Sequence, residues 1–298
     1  MKRIAVFLSG FFLLINHNFA QQNYIVTAPL NILQLINETG ERFDLSGMTS
    51  YQGKIFVIAD KPFNHYIYEI KTANHYFSVI PVQDFHATEP MDLEGIVSDA
   101  EGGFYLCDER NSGVRYAHPV KEIFDVLPLK WPDSENMNHW KNRGLEGIAL
   151  DVKTNRLFLA KERQPQKLFE VDADGFQVQQ IAQQITEASQ FDISDLFYEN
   201  GFLYLLNRAG FRILKMDLET SDVTDTLDYR RVMFHNQTLM YAGARYAMAE
   251  ALIFNEQEIW IGLDNNAEPV NSDNKWMKMY NFEGTNPVIV VIERPEGF

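Results

Sequence analysis

The chain has 298 residues, a formal net charge of −15, 46% hydrophobic and 13% aromatic residues, and one cysteine. That much apolar side chain supports a sizeable core and excludes a disordered chain. The acidic excess excludes nucleic acid and anionic membrane as partners and favours cations, and a lone Cys107 excludes an intramolecular disulfide framework.

Residues 1–20 begin with Lys2 and Arg3, continue through an apolar run from Ile4 to Ile15, and end in Asn18-Phe19-Ala20. This pattern predicts a secretory signal cleaved after Ala20, hence an exported protein, periplasmic or secreted. The apolar run is short for spanning a bilayer, and no later stretch is long and apolar enough to do so. Cleavage removes two basic residues, which leaves 24 basic against 41 acidic side chains. Residues 21–298 are expected to form one domain.

The next segment, Tyr24–Ile36, has strand character and precedes a repeat that occurs five times. Its anchors are Leu45-Ser46-Gly47-Met48, Leu93-Glu94-Gly95-Ile96, Leu145-Glu146-Gly147-Ile148, Ile193-Ser194-Asp195-Leu196 and Ala249-Glu250-Ala251-Leu252, spaced by 48, 52, 48 and 56 residues. About twelve to fourteen residues after each anchor, a second strand ends in polar groups: Asp60, Asp108-Glu109-Arg110, Lys161-Glu162-Arg163, Asn207-Arg208 and Asp264-Asn265. Third strands are expected over His65–Ile70, Lys167–Val171, Phe211–Met216 and Trp276–Phe282. Fourth strands are expected over Tyr76–Val82, Ile123–Leu129, Phe176–Ile181, Val223–Leu227 and Val288–Glu293. Four antiparallel strands per repeat of this length predict an all-β fold, a β-propeller. Five blades are expected, with Tyr24–Ile36 either closing the ring against the last blade or belonging to a sixth.

In an up-and-down blade the first strand starts where the second ends, so both motifs open onto one face. The long connections Leu129–Gly144, Tyr229–Met248 and Asn265–Lys275 are expected on that face too. There Glu94, Glu146 and Glu250 would converge, with Asp264 and Asn265 as further oxygen ligands. Carboxylates so close need a cation, a basic partner or a proton. A hard cation, calcium, answers that need; the alternative is a buried ion network with Arg110, Lys161 and Arg163. Asp108, Glu109, Arg110, Lys161, Glu162, Arg163 and Asn207 form the candidate ligand-binding rim, open to a small molecule or protein. Trp131 and Trp140 would either line a pocket or cap the tunnel.

No pair of histidines has zinc-ligand spacing, and His86, His139 and His235 read as loop residues. Cys107, within FYLCDER, reads as a small core residue. No G-x-S-x-G elbow, phosphate-cradling loop or H-E-x-x-H occurs.

At DLEGI and YLCDER, and again at NRGLEGIALD and LFLAKERQP, the chain resembles the SdiA-regulated family, also described as calcium-regulated β-propeller proteins. The resemblance spans the chain after residue 20. It implies an exported five-bladed propeller linked to calcium, without an established reaction. The matching positions are Glu94, Asp108, Glu109, Arg110, Glu146, Lys161, Glu162, Arg163 and Pro165. The ending AEALIFNEQEIWIGLDNN is similar to that of phytase-like propellers with esterase activity. That similarity implies an alternative, a metal-dependent ester or phosphoester hydrolase in which Glu146 or Glu250 would handle the water. Ser46, Ser194, Asp195 and Ala251 depart from the pattern and leave the acidic ring incomplete. A third alternative is an interaction module of the cell envelope, and the protein is expected to be a monomer.

Overall fold

A computed structural model describes residues 22–37, 42–60, 65–85, 90–140, 143–172, 174–182, 192–235, 238–244 and 248–298. The expected signal at 1–20 and His86 lie outside these residues. Two short strands, β1 (Gln22–Ile25) and β2 (Asn31–Leu35), come first. The repeats then supply β3–β6 (Asp44–Tyr51, Lys54–Asp60, Tyr66–Ala73, Tyr76–Asp84) and β7–β10 (Leu93–Ser98, Phe104–Asp108, Gly113–His118, Ile123–Val126). They continue as β11–β14 (Leu145–Asp151, Arg156–Lys161, Lys167–Asp172, Gln177–Ile181) and β15–β18 (Ile193–Glu199, Phe202–Asn207, Arg212–Asp217, Val223–Asp228). The last repeat contributes β19–β21 (Ala249–Phe254, Glu258–Leu263, Val288–Glu293).

Within each repeat the strands pair antiparallel in sequence order. The sheet β19-β20-β21-β2 joins β6-β5-β4-β3 through a short parallel contact, Gln34 with Tyr76 and Leu35 with Phe77. Thus the N-terminal segment supplies the outer strand of the last repeat: β2 pairs with β21 from Asn31↔Val291 to Gln34↔Val288. The other N-terminal strand, β1, adds to β18 in parallel. Of the segment Tyr24–Ile36, β2 therefore lies against the last repeat, as one of the two expectations had it, and β1 against the fourth.

Two strand expectations are corrected: Val288–Glu293 stands third in its sheet, with β2 as the fourth strand. Trp276–Phe282 is not a third strand; Lys275–Tyr280 forms a short helix, α2, after a four-residue helix α1 at Arg230–Met233. The Asn274 side chain caps α2 by accepting from the amides of Trp276 and Met277, and Asn281 ends it in the left-handed conformation. Trp276 and Met277 bury the inner face, so capping and a one-turn apolar face outweigh the aromatic content that suggested a strand. Asn274→Ala should therefore lower stability by about 1 kcal/mol, read as a lower urea midpoint at unchanged m-value; an unchanged midpoint would count against the cap.

The second strands explain the stacking. Side chains alternate between faces along a strand, and in β12 Leu157 and Leu159 join the core shared with the second repeat while Phe158 and Ala160 join the core shared with the fourth. The same division holds for Phe56 and Ile58 against Val57 and Ala59, and for Leu203 and Leu205 against Tyr204 and Leu206. Each sheet is thus apolar on both faces and must be sandwiched. The innermost strands β3, β7, β11, β15 and β19 each pack on the next, and β19 returns to β3. The fold is all-β and propeller-like.

Every innermost strand also breaks register at the same place: between Leu45 and Gly47, Leu93 and Ile96, Leu145 and Gly147, Ile193 and Asp195, and Ala249 and Ala251. A bulge re-aims the residue it leaves unpaired, here Ser46, Glu94 (with Gly95 also unpaired), Glu146, Ser194 and Glu250. The following glycine is needed for close approach: a Cβ on Gly95 would lie 2.4 Å from the Glu146 carbonyl oxygen. Asp195 replaces that glycine in the fourth repeat, and its buried carboxylate accepts from the amides of Leu196 (2.8 Å) and Leu252 (2.7 Å).

Candidate functional site

The strand register brings three tiers of residues to one mouth. The bulge residues form the first. The second consists of the residue that follows the partner of each anchor: Asp60, Glu109, Glu162, Arg208 and Asp264. The third precedes each anchor and ties the second in place, since Glu109, Glu162, Arg208 and Asp264 donate their amides to the carbonyls of Asp92, Gly144, Asp192 and Met248 at 2.8–3.0 Å. The first two tiers, Ser194 excepted, line a cavity of about 170 Å³ whose walls carry Asp44, Asp60, Asp92, Glu94, Glu109, Glu146, Glu162, Glu250 and Asp264, with Arg163 and Arg208.

The mouth has two sides. On one, Arg208 donates to Asp192 (3.0 and 3.3 Å), to Glu162 (2.6 Å) and to Glu250, so one guanidinium joins the third, fourth and fifth repeats. Arg163, at the rim, also pairs with Glu162. On the other side, oxygens of Asp60, Asp92 and Glu94 converge within 4.8 Å of one another; Glu109, Glu146 and Glu162 form a similar but fully buried group. Calcium–oxygen distances of about 2.3–2.6 Å place opposite ligands roughly 5 Å apart. Both groups have the spacing and all-oxygen chemistry that could hold a hard cation, but in the second Glu162 is already held by Arg208 and Arg163.

Protonation follows the same division. Burial first, then the charges of Glu146, Asp60, Asp92 and Glu250, push Glu94 well above the usual carboxyl range. Glu94 nonetheless keeps some surface open to the cavity. Glu146 is also raised by burial, with Arg208 acting against it. Burial lifts Glu162, Glu250 and Asp264 to about 7, the first two despite Arg208. Burial opposes the charge of Arg208, yet Glu250, Glu146, Asp192 and Glu162 hold its pKa above the ordinary value.

Of the residues singled out in the sequence, Asp60, Glu94, Glu109, Glu146, Glu162, Arg163, Glu250 and Asp264 meet at this cavity. The others serve turns. Asp108 accepts from Arg115 (2.8 Å) and Asn111 (2.7 Å), and Lys161 donates to the carbonyls of Arg163 (2.5 Å) and Pro165 (3.0 Å). Asn207 accepts from the Gly210 amide at 3.0 Å, and Asn265 donates to the Glu268 carbonyl at 3.2 Å. Arg110 is exposed. Trp131 and Trp140 pack edge-on to each other and against Phe169, as part of the core. Burial pushes the Cys107 thiol up, which suits a core residue. Sequence reasoning missed Asp44, Asp92 and Asp192, although an aspartate directly precedes the anchor in the first, second and fourth repeats. It also missed the ion-pairing role of Arg208, whose place beside Glu109 and Glu162 emerges only from the register.

Residues 21–231 match the family profile described as SdiA-regulated. The chain belongs to the SdiA-regulated family. A search of curated proteins gives no significant match. Among solved structures, Myxococcus xanthus glutaminyl cyclase aligns over 92% of this SdiA-regulated chain and 100% of its own, at 11% identity and a TM-score of 0.56. The PQQ-bound aldose sugar dehydrogenase of Streptomyces coelicolor covers 90% of this chain and 100% of its own, at 11% identity and a TM-score of 0.49. Virginiamycin B lyase from Staphylococcus aureus covers 90% and 89%, at 13% identity and 0.48. The first of these likenesses supports the propeller-like fold and carries no activity across. Among the described residues no helix is long and apolar enough to cross a membrane.

Proposed function

We propose that this SdiA-regulated protein is an exported five-bladed propeller that binds calcium at its acidic mouth and presents the ion to a small molecule or a protein. Export rests on the signal-like residues 1–20. The blade count rests on the five innermost strands following one another and the last returning to the first.

The observation that carries the calcium reading is the Asp60–Asp92–Glu94 group. Three carboxylate oxygens from two repeats meet within 4.8 Å. The two flanking members keep surface open to the cavity, so an ion has a way in. Mutual repulsion makes such a cluster costly without a cation, a basic partner or protons, and a hard cation suits its oxygens best. The ion would be held by Asp60, Asp92 and Glu94, and Arg163 at the rim offers a positive group to whatever docks above.

Calorimetric titration tests this. Calcium should bind the wild-type chain, and Glu94→Gln should weaken binding at least about tenfold, a loss of roughly 1.4 kcal/mol. Glu250→Gln should weaken it less, because Glu250 faces Arg208. Absence of binding heat together with an unshifted melting temperature in calcium would overturn the reading.

A further inference from the structure

The second tier of the mouth is a ring in which four positions, Asp60, Glu109, Glu162 and Asp264, are carboxylates and the fifth is Arg208. This single exchange of sign decides how many ions the mouth can hold. The Arg208 side chain is 7% exposed and bonds Glu162, Asp192 and Glu250, while Glu146 lies close enough to raise its pKa. Guanidinium is a planar, always-charged fork suited to gathering several carboxylates. It brings one positive charge where a divalent ion would bring two.

The fit is incomplete in a telling way. One oxygen of Glu162, Oε2, and one of Glu250, Oε2, are buried and have no hydrogen-bond partner among the described residues. Both side chains line the cavity, and the residues are 2% and 7% exposed. A buried carboxylate oxygen without a donor is costly. These two are what an oxygen-coordinated cation would use and what the guanidinium leaves over.

We propose that Arg208 is a built-in counter-cation: its guanidinium holds the place of a second divalent ion, so the mouth accepts one ion, beside Asp60, Asp92 and Glu94, and excludes another beside Glu162 and Glu250. The count of one rests on the calcium reading above; the exclusion by Arg208 does not.

The test is calcium stoichiometry, by calorimetry and by metal retained after gel filtration, in the wild type, Arg208→Met, Arg208→Lys and the double variant Arg208→Met/Glu250→Gln. Arg208→Met should bind one ion more than the wild type. Arg208→Lys, which keeps the positive charge, should match the wild type. The double variant should lose the added ion. If Arg208→Met unfolds in chelator, calcium should refold it, since an ion can do what the guanidinium did. An unchanged count in a folded Arg208→Met, or a chain that stays unfolded in millimolar calcium, would overturn the proposal. A wild type that binds none while Arg208→Met binds one would remove the calcium reading above and leave this one standing.

Discussion

Gly95→Val is expected to cost more than about 3 kcal/mol, beyond the usual 1–3 kcal/mol for overpacking, because the obstacle is backbone and not a movable side chain. A Cβ at this position would stand 2.4 Å from the carbonyl oxygen of Glu146 on the neighbouring innermost strand. The five innermost strands form a closed ring, so β7 cannot retreat from β11 without pressing on β3. Against a typical margin of about 5–15 kcal/mol this is a large loss. Gly113→Ala is the control: only the Asn111 carbonyl, at 3.7 Å, is near its added Cβ, and its effect should stay within about 0.5 kcal/mol. Urea midpoints of both variants give the comparison. A Gly95→Val midpoint equal to that of Gly113→Ala would mean that these strands do not approach as described.

Stability of the metal-free protein should fall as pH rises from about 5 to about 8, and calcium should stabilise it more at the upper end than at the lower. Glu162 and Glu250 move from 4.5 to about 7 on folding, and Asp264 from 3.8 to about 7, each mainly through burial. Because the folded values are the higher ones, the folded chain holds more protons than the unfolded chain throughout that window. The stability they contribute is full below about pH 4 and is lost as pH passes through 7. One unit is worth about 1.4 kcal/mol, so a loss of a few kcal/mol is expected even with Arg208 shared by Glu162 and Glu250. Thermal melts in chelator at pH 5, 6.5 and 8, repeated with calcium, provide the readout. A melting temperature that rises steadily with pH in chelator would contradict it. Calcium held beside Asp60, Asp92 and Glu94 should add more at pH 8 than at pH 5, because burial raises the Glu94 carboxyl and its proton must leave before the ion binds; equal gains would show that ion and proton do not compete there.

Much of the site was visible in the repeats. Leu-Glu-Gly-Ile and the charged strand ends could be aligned by eye, and a propeller hairpin puts both at one end, so Glu94, Glu146 and Glu250 were legible as neighbours. Asn265 was not legible as a turn residue, because its donation to Glu268 depends on a connection that contains α2. Nor was the placement of the network's basic partner. Arg110, Lys161 and Arg163 were the obvious candidates from adjacency, yet Arg110 is exposed and Lys161 holds a turn. The deep partner is Arg208, separated along the chain from Glu162 by 46 residues and from Glu250 by 42.

Periodicity alone determined that hairpins recur five times and that their anchors and charged strand ends share one face, because the repeat returns about every fifty residues and a hairpin starts where its second strand ends. Tertiary structure decided which strand completes the last sheet, and which carboxylates share a guanidinium and which are left to face one another. Both outcomes depend on distances across the closed ring, between residues that no local pattern connects.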